Sequence, residues 1–139
     1  MAIPEAVQQQ VEDALIDEDV ETAYALLSPH LGDDASAWAE AGFFLDDMGR
    51  SDEALVHFER ALELDARCCS AYVGRGKLRA TQRDYDAAIA DLDHALAIHP
   101  DAMTWFLKGL VLEDAGRHDE AARCRAEAAR LDPASFGGA

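Results

Sequence analysis

Histidine and cysteine are the side chains that most often supply metal ligands and nucleophiles, and in this sequence they are scattered. The five histidines share no regular spacing: His30, His57, His94, His99 and His118. Cys68 and Cys69 are adjacent, and neither they nor Cys124 form a CxxC pair or have a histidine at zinc spacing. The sequence therefore predicts no metal, no cofactor and no cysteine nucleophile.

Neither a glycine-rich stretch nor the paired acids predict a catalytic site. The segment YVGRGKL, residues 72–78, looks like a phosphate-binding loop, but the helical period requires Gly76 as a packing position. Paired acids such as Asp46 and Asp47 are common at helix ends and in loops. We predict that the protein is not an enzyme.

The balance of charge excludes two classes of partner. The chain has 28 acidic side chains against 12 Lys and Arg, and residues 1–34 hold nine acids with no Lys or Arg. Phosphate backbones and anionic lipid heads are bound by basic clusters, so we expect neither nucleic acid nor membrane as a partner. The acids either steer a basic partner or only keep the protein in solution.

The first residues give no sign of export. The segment MAIPEAVQQQVEDALIDEDVE has neither a basic start nor an apolar core, and no run of 18 apolar residues follows it. Together with an uneven set of three cysteines, this predicts a cytoplasmic protein with reduced thiols. The usage of many Ala and Arg and little Lys is typical of a bacterial chain.

Small residues recur at a fixed period, which indicates repeated units. Three series step by 34 and then 33 residues: Gly42, Gly76 and Gly109; Ala54, Ala88 and Ala121; Ala61, Ala95 and Ala128. An aromatic side chain precedes each glycine, at Trp38, Tyr72 and Trp105. We expect the small residues to lie where helices approach closely and a larger side chain would overpack.

This pattern resembles the tetratricopeptide repeat, a 34-residue helix-turn-helix unit with an aromatic, a small residue four places on, two spaced alanines and a closing proline. The resemblance covers residues 35–68, 69–101 and 102–133. It implies an all-α fold, a short right-handed α-solenoid of stacked antiparallel helix pairs with about eight helices. The departures are Ala66 for the closing proline, Arg83 where the other copies have Gly49 and Gly116, and Leu92 and Arg125 where the copy at 35–68 has Phe58.

The two ends of the chain depart further from the pattern, although we expect one domain overall. Residues 1–34 are predicted to form two helices, either a diverged first repeat or an N-terminal capping hairpin, and Pro29 would kink or end the second. The last helix has no aromatic and can face water as its own cap. Residues 134–139 are predicted to be a flexible tail, with Phe136 either docked or exposed.

The resemblance implies a scaffold that binds a peptide or partner protein in a concave groove, lined by the first helix of each repeat. The helical period predicts groove positions at Ser36, Ala39, Glu40, Phe43, Ser70, Val73, Gly74, Lys77, Met103, Phe106, Leu107 and Leu110, with an acidic rim at Asp46, Asp47, Glu113 and Asp114. We expect an apolar trough that takes apolar anchors, with the rim meeting basic flanks. The alternative is that Phe43, Phe106 and Leu110 pack inward or lie under the N-terminal segment.

Other functions known from such repeats fit less well or stay open. The carboxylate clamp that grips chaperone C-termini needs Lys, Asn and Arg, but this chain contains no asparagine and has Ala39, Phe43, Gly74, Met103 and Leu107 at the matching positions. A small chaperone resembling those of secretion-system translocators remains an alternative. So does self-assembly, in which the acidic N-terminal end meets the basic side chains Arg117, Arg123, Arg125 and Arg130 of another copy.

Overall fold

The fold is all-helical throughout residues 2–138, which are the residues that the computed structural model describes. Nine α-helices follow one another in this range: α1 (Glu5–Ile16), α2 (Val20–Leu27), α3 (Ala35–Asp47), α4 (Ser51–Leu64), α5 (Cys69–Thr81), α6 (Tyr85–Ile98), α7 (Ala102–Asp114), α8 (His118–Leu131) and α9 (Pro133–Phe136). Pro29 lies in a 3-10 turn, Ser28–His30, directly after α2. The predicted fold class is confirmed.

The chain divides into two compact units. Unit 1 ends at Gly74 and contains α1 to α4 with the first part of α5; unit 2 begins at Arg75 and contains the rest of α5 with α6 to α9. In unit 1, α1 packs on α2, and α3 packs on α4. In unit 2, α7 packs on both α6 and α8.

One turn geometry joins the helices of each pair. Gly49, Arg83 and Gly116 have positive φ angles of 76°, 63° and 80°. In each case the next residue donates its N–H to a carbonyl five residues back, as in Arg50 to Leu45 at 2.8 Å. The turn between α1 and α2 closes in the same way, with φ of 57° at Glu18 and an Asp19 to Ala14 bond of 2.8 Å. Residues 1–34 therefore share the turn geometry of the three helix pairs that follow.

In unit 1, close packing centres on one phenylalanine. Phe58 on α4 is fully buried, and its ring occupies the space where side chains at Gly42 and Gly74 would begin. A Cβ atom added at Gly42 would lie 2.7 Å from the ring, and one at Gly74 would lie 2.4 Å from it. Both distances are far inside van der Waals contact, so α3 and α5 can approach this ring only with glycine at these positions.

In unit 2, the recurring glycines face backbone instead of a ring. A Cβ atom at Gly76 would lie 3.3 Å from the carbonyl oxygen of Ala88, and one at Gly109 would lie 3.3 Å from that of Ala121. The paired alanines of every repeat have no exposed surface: Ala54, Ala61, Ala88, Ala95, Ala121 and Ala128. Small residues therefore set the helix spacing in each unit.

The structure places a short helix where a flexible tail is predicted from residue 134. Asp132 accepts a hydrogen bond from the Ser135 N–H at 3.1 Å and caps α9. The ring of Phe136 then lies 5.1 Å from that of Phe106 on α7. Of the two alternatives for Phe136, the structure shows the docked one.

Gly74→Ala is expected to destabilise the protein by about 1–3 kcal/mol, because the added methyl group forces the buried Phe58 ring to move. The loss should exceed the gain of about 1 kcal/mol that alanine brings to a helix interior. Urea unfolding followed by circular dichroism measures the change. Gly138→Ala, where a Cβ meets open space, is the control. Phe58→Leu should cost less in the Gly74→Ala background than alone, and additive effects would contradict the clash.

Arg83→Gly is expected to stabilise the protein by about 0.5–1 kcal/mol. A left-handed conformation costs a side-chain-bearing residue about 1–2 kcal/mol, and glycine adopts it freely at some cost in unfolded-state entropy. Thermal unfolding measures the gain. Gly116→Arg places the same strain in the equivalent turn and should lower the midpoint; a neutral result for both variants would show that the turn residue carries no strain.

Candidate interaction surfaces

Within unit 1, the predicted groove positions divide into packed and exposed side chains. Ala39 is buried, so it is not available to a partner. Phe43 is half-buried, and its ring meets the ring of Phe58 edge-on at 5.0 Å. Val73 is half-buried and Gly74 is buried, whereas Ser36, Glu40, Asp47 and Ser70 are exposed. The inward alternative is therefore the one that the structure shows for Phe43.

Within unit 2, one face of α7 carries exposed apolar side chains. Met103 is 55% exposed and Leu110 is 41% exposed. Leu107 lies between them on the same face and is half-buried. Lys77 on α5 is also exposed. Of the predicted groove residues, Met103 and Leu110 are the apolar ones that the structure leaves accessible.

The neighbouring position on α7 is covered by the chain itself. Phe106 is half-buried, and Phe136 of α9 lies over its ring. The sequence alternative named the N-terminal segment as the cover; the structure shows the C-terminal helix in that role for Phe106. An aromatic pair at this distance is worth about 0.5–1.5 kcal/mol beyond the area it buries.

The predicted acidic rim is neutralised at Glu113. The ring Nδ1 of His118 lies 2.8 Å from one carboxylate oxygen of Glu113, and Arg125 donates to the other at 3.2 Å. These contacts hold the pKa of Glu113 below its usual range, first through the hydrogen bond from His118 and then through the positive charges. Glu113 is therefore paired with basic side chains of its own unit at the surface, where 39% of its side chain stays exposed.

An acidic cleft of about 250 Å³ lies elsewhere, in unit 1. The N-terminal segment, α1, the end of α2 and the start of α3 form its walls. Apolar side chains from these elements line its floor, and Glu12, Asp34 and Glu40 carry its charge. Glu40 and Ser36 are predicted groove residues, but no pattern in the sequence predicts this cleft.

Electrostatic conditions in the cleft are unfavourable to its own carboxylates. Glu40 is exposed as a residue, but the cleft wall desolvates its carboxyl group. This desolvation, followed by the charges of Asp34 and Glu12, raises the pKa of Glu40. The folded protein thus holds the Glu40 proton more tightly than the unfolded chain does. Stability is consequently lost as the pH rises from the unfolded pKa through the higher folded one, and the penalty persists at neutral pH. A positive charge beside Glu40 would remove it.

A buried ion cluster in unit 2 was not predicted from the sequence. Asp91 on α6 is only 2% exposed. Arg75 binds it with two nitrogens, at 3.1 and 2.9 Å, and Arg79 adds a third bond at 3.0 Å. The signal in the sequence is two arginines four residues apart in one helix and an acid at a buried position of the next. The cluster joins α5 to α6 within unit 2.

Two of the three cysteines lie in the interior of their units. Cys68 and Cys124 are buried, and burial raises the pKa of the Cys124 thiol, which opposes thiolate formation. Between residues 2 and 138 no three His, Cys, Asp or Glu side chains lie close enough to hold a metal ion.

The repeat geometry agrees with a comparison against protein families. The family model of the tetratricopeptide repeat matches residues 45–103 and again 75–136. The chain belongs to the tetratricopeptide repeat family. A comparison with curated proteins finds no match. None of the helices between residues 2 and 138 is long and apolar enough to cross a membrane.

Solved structures of this tetratricopeptide repeat fold superpose over nearly the whole chain. A thermophilic protein of Thermus thermophilus, TTC0263, matches with a TM-score of 0.81 and 21% identity over 97% of this chain and 77% of its own. MamA of Desulfovibrio magneticus RS-1 matches with 0.79 and 22% over 95% and 78%. YrrB, described as having an unusual peptide-binding site, matches with 0.76 and 17% over 93% and 69%. At these identities the likeness shows the fold.

Asp91→Ala is expected to destabilise the protein by about 3 kcal/mol, because it leaves two partly buried arginine charges without their acceptor. Chemical unfolding measures the loss. Asp86→Ala is the control, since Asp86 lies on the same helix but pairs with Arg117 where both side chains are exposed, at 3.8 Å, and should cost about 0–1 kcal/mol. Equal losses would show that the buried cluster contributes no more than a surface pair.

Proposed function

We propose that this protein is a non-catalytic scaffold that binds a segment of another protein on the α7 face formed by Met103, Leu107 and Leu110. The observation that carries the proposal is the exposure of Met103 and Leu110 on a strongly acidic chain. Neighbouring apolar side chains that are exposed to solvent indicate an interaction site. Their spacing along one face suits the apolar anchors of an extended or helical segment.

The size of this face limits the affinity. At roughly 25 cal/mol per Å² of apolar surface, two buried anchors supply a few kcal/mol before the cost of association is subtracted. We therefore expect micromolar dissociation constants. Such values suit a scaffold whose partners exchange.

Family membership supports the same function. Proteins built from stacked helical repeats use the surfaces of their repeats for binding, and YrrB is described as a peptide-binding member. In unit 2, the exposed groove position Lys77 stays in the proposal as a polar contact. In unit 1, the exposed positions Ser36, Asp47 and Ser70 stay as predicted polar contacts of that unit. Ala39 and Phe43 are left out of it because they are packed, and Glu113 because it is paired.

A chaperone role and self-assembly, the two alternatives predicted from the sequence, remain hypotheses. A translocator-type chaperone would bind on the same face of α7, and its partner would be an export substrate. Self-assembly would use the exposed side chains of Arg117, Arg123, Arg125 and Arg130, which would meet the acidic N-terminal end of another copy. We propose the cytoplasm as the compartment, on the sequence grounds given above.

Met103→Glu/Leu110→Glu is expected to weaken peptide binding by at least about tenfold, which corresponds to 1.4 kcal/mol, because carboxylates replace both anchors. The probe is a set of peptides selected from a random phage library on the full-length chain. Fluorescence anisotropy measures their dissociation constants, and circular dichroism checks the fold of the variant.

Ile16→Glu/Val56→Glu is the matched control. Ile16 and Val56 are exposed apolar residues, at 78% and 62%, on helices of unit 1, and the change of charge is the same. Binding should survive in this control. Retained binding by the α7 variant, or equal loss in both variants, would move the site away from α7.

A further inference from the structure

The cleft of unit 1 combines an apolar floor with carboxylates at its mouth. Ile3, Val11, Leu27 and Ala37 contribute the apolar surface, and Val11, Leu27 and Ala37 are themselves buried members of the unit 1 core. Gln8 donates a hydrogen bond to the Ile3 carbonyl at 2.9 Å and holds the N-terminal segment against α1. The cleft is thus bounded by ordered elements on each side.

The carboxylates at the mouth lack the partners that other acids of this chain have. Glu53, Glu120 and Glu127 each pair with an arginine three residues away in sequence. Among residues 2–138 no Lys, Arg or His side chain pairs with Glu12, Asp34 or Glu40. Asp34 uses one oxygen to cap α3, accepting from the Ala37 N–H at 3.1 Å. Within residues 2–138, three negative charges therefore meet around one opening without a Lys, Arg or His side chain paired to them.

We propose that this cleft binds a lysine or arginine side chain of a partner protein segment. The methylene stem would lie on Ile3, Val11 and Leu27, and the cationic head would meet Glu12, Asp34 and Glu40. The inference rests on the proposed function, because it takes the occupant to be a protein segment. It adds the chemistry of that segment and a second contact surface, in unit 1.

Charge and shape together select this occupant. Long basic side chains pair an apolar stem with a charged end, which matches the order of floor and mouth in the cleft. A phosphate or a carboxylate would be repelled by the three acids. A basic group would also stabilise the ionised form of Glu40, whose pKa is raised in the free protein.

The test uses two peptides that differ only in charge. The probes are Ac-Ala-Leu-Lys-Leu-Ala-NH2 and the same peptide with norleucine, a neutral residue of similar length, in place of lysine. Each is titrated into the full-length, 15N-labelled chain, and the amide shifts are followed by NMR. We expect the lysine peptide, and not the norleucine peptide, to shift the amides of Val11, Glu12, Ala37 and Glu40.

Matched variants connect these shifts to the carboxylates. Glu12→Gln/Glu40→Gln should weaken binding of the lysine peptide about threefold or more, the size expected for exposed charge pairs. Glu21→Gln/Glu59→Gln removes two exposed acids of unit 1 that do not line the cleft, and should leave binding unchanged. In the wild-type chain the Glu40 carboxyl carbon should titrate at a lower pH when the lysine peptide is bound.

The outcomes separate this inference from the proposed function. Shifts at Leu107 and Leu110 without shifts in the cleft would overturn the inference and leave the α7 face in place. Shifts in the cleft without any at α7 would support the inference and contradict binding at the α7 face. Equal shifts with both peptides would overturn the inference, since charge would then play no part. Cleft shifts that grow with protein concentration alone would identify a second copy as the occupant and overturn the assignment to a partner segment.

Discussion

The close approach of helices at glycine is the constraint on which the rest of this structure depends. Phe58 fills the space that side chains at Gly42 and Gly74 would need, and in unit 2 the backbone of the second helix in each pair takes the same space beside Gly76 and Gly109. Protein interiors are packed densely enough that one methyl group is felt. Helix spacing in each unit is therefore set by glycine and alanine at the positions of closest approach.

That constraint explains why the architecture could be predicted. Close packing between neighbouring helices requires small residues at a regular spacing in the sequence. A turn with a positive φ favours glycine at that position. Both signals are local in sequence and repeat along the chain, so they can be recognised without knowledge of distant contacts. Arg83 shows the limit of the turn signal. The position keeps its left-handed backbone without glycine, because the hydrogen bonds that close the turn involve only main-chain groups.

The candidate surfaces were less predictable because exposure depends on partners outside the repeat period. The helical period assigns Phe43 and Leu110 to the same kind of position, yet Phe43 packs against Phe58 while Leu110 stays in water. Phe106 is covered by a residue thirty positions further along the chain. Glu113 and Asp91 are acids whose basic partners lie on another helix or turn. A period within one helix cannot report any of these contacts.

Both candidate surfaces lie beside an end of the described chain. Ile3 lines the acidic cleft of unit 1, and Phe136 lies over Phe106 on the helix that carries the exposed apolar face of unit 2. A purification tag or fluorescent protein fused at either terminus would therefore stand next to a surface whose accessibility matters. Labels are better placed in the turns at Gly49 or Gly116, where added atoms meet no neighbour, provided that the substituted residue tolerates the left-handed backbone.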